Sequence, residues 1–180
     1  MLDRECDVDV NDVIYLDQYI NNILDKIYSN NIICRLLYYD EPDALTQPDL
    51  EDNTVLFTDL DNRRIYPMVY TTENMGTPKS MLYIDVVNAS LNNNNVYFKD
   101  VIVEITVLSH LSLWELTSES GSHCSLRINR LVHELNNLFN RQTIFGVGSL
   151  VFNYLQKVYV DRSFSGYKMC FETKDFSLNG

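Results

Sequence analysis

Metal-binding side chains occur at two places in the chain. His123 and Cys124 are adjacent and His133 follows them, but no fourth ligand or repeated spacing completes a zinc site. Asp59-Leu60-Asp61 carries two carboxylates that could hold a divalent ion, yet no further carboxylate is placed to complete the set. We therefore expect no metal and no cofactor.

Catalytic signatures are incomplete in the same way. Gly146-Val147-Gly148 lacks the third glycine and the lysine of a phosphate loop and precedes a predicted strand, so it is interpreted as a turn. Glu172-Thr173-Lys174 resembles the last element of a metal-dependent nuclease site, but the other carboxylates of such a site are missing. Serine and histidine occur without a nucleophile elbow. We expect no catalytic residue and no enzyme, and a hydrolase that uses the Glu172 region is kept as an alternative.

The element that must organise any site is the strand from Val101 to Leu108, Val-Ile-Val-Glu-Ile-Thr-Val-Leu. Val101, Val103, Ile105 and Val107 fall on one face of this strand because side chains alternate in a β-strand. The other face is mixed. This pattern predicts a central strand that is buried well on one side and partly on the other.

Two amphipathic helices are predicted. The first begins with Asn11 as N-cap and stops at Ser29-Asn30-Asn31. Its apolar stripe recurs at steps of three and four residues and consists of Val13, Leu16, Ile20, Ile23 or Leu24, and Ile27. The second helix has Ser122 or Ser125 as its cap and ends near Asn140. Its apolar face consists of Ile128, Leu131, Val132, Leu135, Leu138 and Phe139. The polar residues expected to lie away from that face are Arg127, Arg130, Glu134 and Arg141.

The remaining apolar runs predict strands at Ile32 to Tyr39, Met81 to Val87, Ser149 to Val160 and Tyr167 to Phe176. An asparagine-rich turn joins the strand at Met81 to the central strand as an antiparallel pair. The predicted fold class is α+β, a mostly antiparallel sheet packed by two main helices with a long arm or loop inserted.

Residues 1–180 fit a single domain with a mobile N-terminal tail, residues 1–10. Residues 40–80 are acidic and punctuated by proline, and only Val55 to Phe57 and Arg64 to Tyr70 are strand-like. A connection this long is usually functional or disordered on its own. We expect an arm that is mobile in the isolated chain and orders against a neighbouring subunit.

The net charge of −11 is concentrated near the start of the chain. Residues 1–61 hold 15 acids and 3 bases, whereas residues 62–180 hold 10 acids and 11 bases. An acidic field repels phosphate and disfavours nucleic-acid binding by a basic face. The acidic third is either a solvated surface or a surface that lies beside nucleic acid without binding it, or docks on a basic partner.

The four single cysteines, Cys6, Cys34, Cys124 and Cys170, have no Cys-x-x-Cys spacing and are expected to be reduced thiols. No apolar stretch approaches the roughly 20 residues that cross a bilayer, and the first residues do not resemble a signal peptide. We expect a soluble protein.

The second half of the chain resembles the neck and tail-completion (tail terminator-like) proteins of tailed bacteriophages. Their pattern is a strand, a polar loop, a helix with an early arginine, a glycine turn and a further strand. The segments that carry the resemblance, between about residues 96 and 176, are Phe98 to Ile105, Ser109-His110, Trp114, Leu126-Arg127-Ile128 with Leu131, Leu135 and Phe139, Ile144 to Phe152, and Ser165 to Phe171 with Asp175-Phe176.

The resemblance implies a virion structural protein at the phage head-tail junction, a neck or tail terminator ring subunit that forms part of the DNA channel. It implies a ring of six or twelve copies, contacts with neighbouring neck, portal or tail proteins, passing DNA that is not specifically bound, and no membrane. The protein would lie in the virion, and in the host cytoplasm during assembly. The rival hypothesis is a small phage-encoded acidic regulator that binds a host protein, possibly by imitating DNA.

Subunit contacts in such a ring are heterologous, so each copy presents different surfaces to its two neighbours. The acidic third and a set of arginines are expected to complement each other across this interface. Reversing Arg127 and Arg130 to glutamate is expected to impair ring formation without unfolding the subunit. The predicted contact arginines are Arg63, Arg64, Arg127, Arg130 and Arg141.

Overall fold

A computed structural model describes residues 14–68, 76–92, 95–117, 125–144 and 149–174. Several sequence predictions lie outside these ranges: the tail of residues 1–10, the Asn11 and Ser122 caps, His123-Cys124 and the glycine turn at 146–148. No helix within the described part of the chain combines the length and the apolar character needed to cross a membrane.

The described elements follow one another along the chain as helices and strands of very different lengths. In order they are α1 (Ile14–Tyr28), α2 (Asn31–Tyr38), α3 (Val55–Thr58), β1 (Ile65–Tyr66), β2 (Ser80–Asn92), β3 (Asn95–His110), β4 (Glu115–Leu116), β5 (Ser125–Leu126), α4 (Arg127–Phe139), β6 (Ser149–Tyr159) and β7 (Phe164–Lys174). A short 3-10 turn, Leu111–Leu113, follows β3.

Five of these strands form one sheet in the order β1-β2-β3-β7-β6. β1 pairs with β2 in parallel, and the other neighbours are antiparallel. β4 and β5 form a separate small antiparallel pair. The predicted α+β class, the antiparallel β2–β3 pair and the central position of β3 are all confirmed.

The main core lies between the sheet and the helices. Val101, Val103, Ile105 and Val107 of β3 are buried, as their alternation predicts. They belong to one apolar cluster with residues of α1 and α4, among them Ile23, Ile27, Ile128, Leu131, Leu135 and Phe139. On the opposite face of the sheet a smaller cluster forms around Tyr66, Met81, Tyr83, Leu108 and Phe164.

The predicted strand from Ile32 to Tyr39 is wrong, because this segment is the helix α2. The Asn30 side chain caps it by accepting a hydrogen bond from the Ile33 backbone N–H at 3.1 Å. The buried residues Ile33, Cys34, Leu36 and Leu37 follow helical spacing and pack into the core. A continuous apolar run fits a buried strand and a short buried helix equally well, and here the cap and the packing favour the helix.

The described residues 40–68 of the acidic segment, predicted to form an arm, pack partly on the core of the single chain. Val55 to Phe57, predicted to be strand-like, lies in the short helix α3, whose Leu56 is buried. Of the stretch from Arg64 to Tyr70, only Ile65 and Tyr66 form a strand, and residues 69–75 lie outside the described ranges. Ala44 and Ile65 are also fully buried. Whether assembly orders this segment further stays a prediction.

Candidate functional site

Two of the side chains that could have held a metal, Asp59 and His133, make local hydrogen bonds. One Asp59 carboxylate oxygen accepts the Asp61 backbone N–H at 3.0 Å and the other accepts the Asn62 amide at 2.7 Å. These hydrogen bonds lower the pKa of Asp59, and the bond from Asn62 has the largest effect. His133 is exposed and its Nε2 lies 2.9 Å from the Asn137 amide nitrogen. Within the described ranges no three His, Cys, Asp or Glu side chains gather around a common point.

The predicted nuclease-like triplet contributes to the sheet. The Glu172 carboxylate accepts a hydrogen bond from the Asn153 amide, and Thr173 Oγ1 accepts the Val101 backbone N–H at 2.8 Å. The Lys174 side chain lies outside the described part of the structure. These contacts tie β7 to its neighbouring strands.

A groove of about 360 Å³ runs between α1 and the connection that follows α4. Asn22 donates a hydrogen bond across it to the Ile144 carbonyl at 3.3 Å, and the Ser29 hydroxyl donates to the Lys26 carbonyl at 2.7 Å. The Asn22 side chain therefore links α1 to the connection that follows α4, whereas the Ser29 bond is local to the end of α1. These side chains do not form a nucleophile and base pair.

Arg127, predicted to be an exposed contact residue, is fully buried at the start of α4. Its guanidinium donates to four backbone carbonyls: Leu113 and Leu36 at 2.8 Å, Tyr39 at 2.5 Å and Glu41 at 2.6 Å. Leu36 and Tyr39 lie at the C-terminal end of α2, where carbonyls that have no hydrogen-bond partner within the helix favour a cation. The prediction that Arg127 lies away from the packed face is therefore wrong.

Arg64 reinforces the same end of α2. Its Nε donates to the Leu37 carbonyl at 3.2 Å, and its guanidinium lies 3.5 Å from the Asp40 carboxylate. Burial raises the pKa of Asp40, against the opposing effects of Arg64 and Arg127. Arg63 donates to the Phe57 carbonyl at 2.8 Å and covers the Phe57 ring. These arginines stabilise the fold of the acidic segment.

The other two predicted contact arginines are more accessible. Arg130 is 42% exposed and forms a helical ion pair with Glu134 at 2.9 Å. Glu134, expected to be away from the core, is 8% exposed. Arg141 has an exposed side chain and a φ of 63°, and its backbone N–H donates to the Leu150 carbonyl at 2.6 Å. Ser125 lies in β5 and gives α4 no side-chain cap.

A further accessible feature of the described structure is the outer edge of β6, the last strand of the sheet. Its first part is covered, because Leu150 N–H donates to the Gln142 carbonyl at 2.9 Å and Phe152 N–H donates to Asn140 Oδ1 at 3.0 Å. In the described part of the chain, backbone hydrogen bonds on this outer side end at Phe152. Residues 153–157 are all exposed. The second half of β6 is thus an open strand edge.

Three side chains form a stripe on this open half, which we call the β6 stripe: Leu155, Lys157 and Tyr159. They share one face because they are spaced two residues apart. Leu155 is 44% and Tyr159 69% exposed, and Lys157 Nζ lies 4.8 Å from the centroid of the Tyr159 ring. The stripe therefore combines apolar, cationic and aromatic groups in contact with solvent.

The opposite face of the same strand is held by a polar network. Tyr154 Oη donates to Glu104 Oε1 at 2.7 Å, and Lys168 Nζ lies 2.6 Å from Glu104 Oε2. Burial tends to raise the pKa of Glu104, but these hydrogen bonds from Lys168 and Tyr154 outweigh it and lower the pKa. The hydrogen bond to Glu104 raises the pKa of Tyr154. The network fixes β6 to β3 and β7, so the exposed edge is rigid.

Sequence reasoning identified β6 as a strand and did not identify it as a surface. The available signal was the run Tyr-Leu-Gln-Lys-Val-Tyr at residues 154–159, which has apolar groups on both faces. In a strand covered by helices on one side, such a run leaves some of these groups in solvent.

The described residues define a class: a small α+β domain whose sheet has an open edge along the second half of β6. The model of the YomW family matches residues 30–173, most of the chain, and the chain belongs to this phage-associated family. Comparison with curated proteins finds no match, and comparison with solved structures finds none either.

Proposed function

We propose that this protein is a structural subunit of a phage virion, in a neck or tail terminator ring at the head-tail junction that forms part of the DNA channel. The observation that carries the proposal is the open outer half of β6 in a protein of a phage-associated family. Its sites of action would be the virion and, during assembly, the host cytoplasm.

An open strand edge needs a physical explanation. Unpaired backbone N–H and C=O groups and exposed apolar side chains favour association with another chain, and monomeric proteins usually block such edges. Here the edge is long and is fastened to the sheet by the network around Glu104. An edge of this kind is expected in a subunit whose normal state is an assembly.

The charge of the chain supports a channel role. Exposed acidic residues of the first third include Glu41, Asp49, Glu51 and Asp52. Carboxylates repel the phosphate backbone, and a channel wall without strong cation–phosphate contacts lets DNA slide without repeated binding steps. We propose that passing DNA is not specifically bound, and that no metal, cofactor or catalytic residue is needed.

The proposed role is tested by mass spectrometry of purified virions with copy-number measurement, together with light scattering and electron microscopy of the purified protein. The expected results are a fixed copy number in the particle and ring-shaped oligomers. Absence from purified virions would contradict the proposal.

The acidic regulator is the second candidate, because 15 of the 25 acidic residues lie among residues 1–61. It predicts a monomer that co-purifies with a host protein and is absent from particles. The hydrolase alternative is tested by Glu172→Gln, which removes a carboxylate and keeps an acceptor for Asn153. Loss of a measurable hydrolytic activity in this variant would favour the hydrolase.

A further inference from the structure

We propose that the turn around Leu60 of one copy docks on the β6 stripe of the next copy. This inference rests on the proposed ring assembly and identifies the contact that builds it. We define the Leu60 turn as residues 59–62 and the β6 stripe as Leu155, Lys157 and Tyr159, as above.

Leu60 is the most exposed of the large hydrophobic residues described, at 79%. It lies between the carboxylates of Asp59 and Asp61. The turn is fixed because Asp59 accepts both the Asp61 N–H and the Asn62 amide, and Arg63 holds the preceding Phe57 carbonyl. A preformed backbone turn has less conformational entropy to lose on binding, and the exposed Leu60 side chain offers apolar surface to a partner.

The β6 stripe offers the complementary chemistry. Leu155 and Tyr159 are apolar surfaces on either side of the Lys157 ammonium. An incoming leucine can pack against these surfaces, while a flanking carboxylate meets the lysine. Apolar burial would supply most of the affinity, and the charge pair would set orientation and association rate.

Position in the fold excludes contact between the two surfaces within one chain. α3 and the Leu60 turn lead directly into β1, at one edge of the sheet, whereas β6 is the opposite edge. Four strand spacings separate β1 from β6, which is about 19 Å. Two unlike, complementary surfaces at opposite edges produce a head-to-tail contact, which forms a ring when the rotation between neighbouring copies closes.

The first test is disulfide crosslinking between copies, in a background with Cys6→Ser and Cys124→Ser. Cys34 and Cys170 are buried and can remain. We expect Leu60→Cys and Leu155→Cys in one chain to give a ladder of crosslinked oligomers under mild oxidation. Each single variant alone should give none, and a mixture of the two should give dimers. The matched control is Leu111→Cys with Leu155→Cys, since Leu111 is also exposed, at 48%.

Crosslinking of Leu155→Cys alone would overturn the proposal, because it would mean that two β6 edges meet in a two-fold contact. Absence of the ladder in the double variant, with oligomers still seen by light scattering, would also overturn it and leave the ring function standing. A protein that is monomeric at all concentrations and absent from virions would instead overturn the proposed function itself, and this inference with it.

The second test measures the strength of subunit association by sedimentation of the purified protein. Leu60→Ala is expected to weaken subunit association by about tenfold or more, because it removes most of the apolar surface that this side chain would bury in the contact. Lys157→Glu should weaken it, and Asp61→Lys in the same chain should restore part of the loss. Unchanged association in Leu60→Ala would refute the contact.

Discussion

Replacement of Arg127 by methionine is expected to lower the free energy of unfolding by about 3–5 kcal/mol. Methionine keeps an unbranched side chain in the buried site but removes every donor. The guanidinium serves one buried carbonyl, that of Leu36, and three partly buried ones. A hydrogen bond to a charged group contributes about 1.5–3 kcal/mol when buried, and water can replace part of the donors at the less buried carbonyls.

The loss is large relative to the stability of a single domain, which is about 5–15 kcal/mol. At about 2–4 °C per kcal/mol, the thermal midpoint should fall by roughly 10 °C. Urea unfolding followed by circular dichroism measures the change in the free energy of unfolding. An unchanged slope of this free energy against urea concentration would show that only stability is altered. The charge reversal Arg127→Glu should be worse, because it brings a carboxylate against four carbonyl oxygens.

Arg130→Met is the matched control. Arg130 lies one turn along the same helix, is 42% exposed and pairs with Glu134. Its loss should cost no more than about 1 kcal/mol, as for other exposed ion pairs. A decrease below about 1 kcal/mol for Arg127→Met would refute the role assigned to the buried guanidinium.

Three further outcomes are expected. Gly166→Ala should destabilise the domain by about 1–3 kcal/mol in urea unfolding, because a Cβ at this position would lie 1.9 Å from the Val107 carbonyl oxygen. Gly76→Ala is the control: its Cβ would meet no atom within 4 Å, so the change in stability should be close to zero. The pKa of Glu104 is lowered in the fold, so its contribution to stability is present above the ordinary pKa of 4.5 and is lost as pH falls through the folded pKa. Glu104→Gln should therefore lose less stability than the unaltered protein below pH 4.5. Equal acid sensitivity of both proteins would contradict this. Burial raises the pKa of the Cys34 thiol to about 12. In a protein that carries Cys6→Ser, Cys124→Ser and Cys170→Ser, a thiol reagent should therefore react with Cys34 only on unfolding. Rapid labelling of the native protein would be inconsistent with the packing of α2.

Strong local periodicity made much of the fold predictable. The alternation of Val101, Val103, Ile105 and Val107 defined β3, and helical spacing defined α1 and most of α4. In these elements the face to be buried repeats over many residues, so the hydrophobic pattern and the backbone geometry agree. The same patterns predicted the α+β class and the antiparallel pairing of β2 with β3.

Where the pattern was ambiguous, tertiary contacts decided the structure. The run of apolar residues from Ile32 to Tyr39 satisfies strand and helix equally, and packing of α2 against the core selects the helix. Short elements such as α3 and β1 carry too few residues for a periodic signal, so their packing on the core could not be predicted from local sequence.

The arginines show the same limit most directly. Polar character predicted that Arg127 and Arg130 both lie in solvent, and the helix alone cannot distinguish them. Arg127 is buried because the end of α2 brings unpaired carbonyls to its position, whereas Arg130 faces outward with Glu134 as its partner. The sequence predicted a helix with an early arginine and a buried apolar face. Only the tertiary structure, by placing another helix's carbonyls beside it, decided that this arginine belongs to the core.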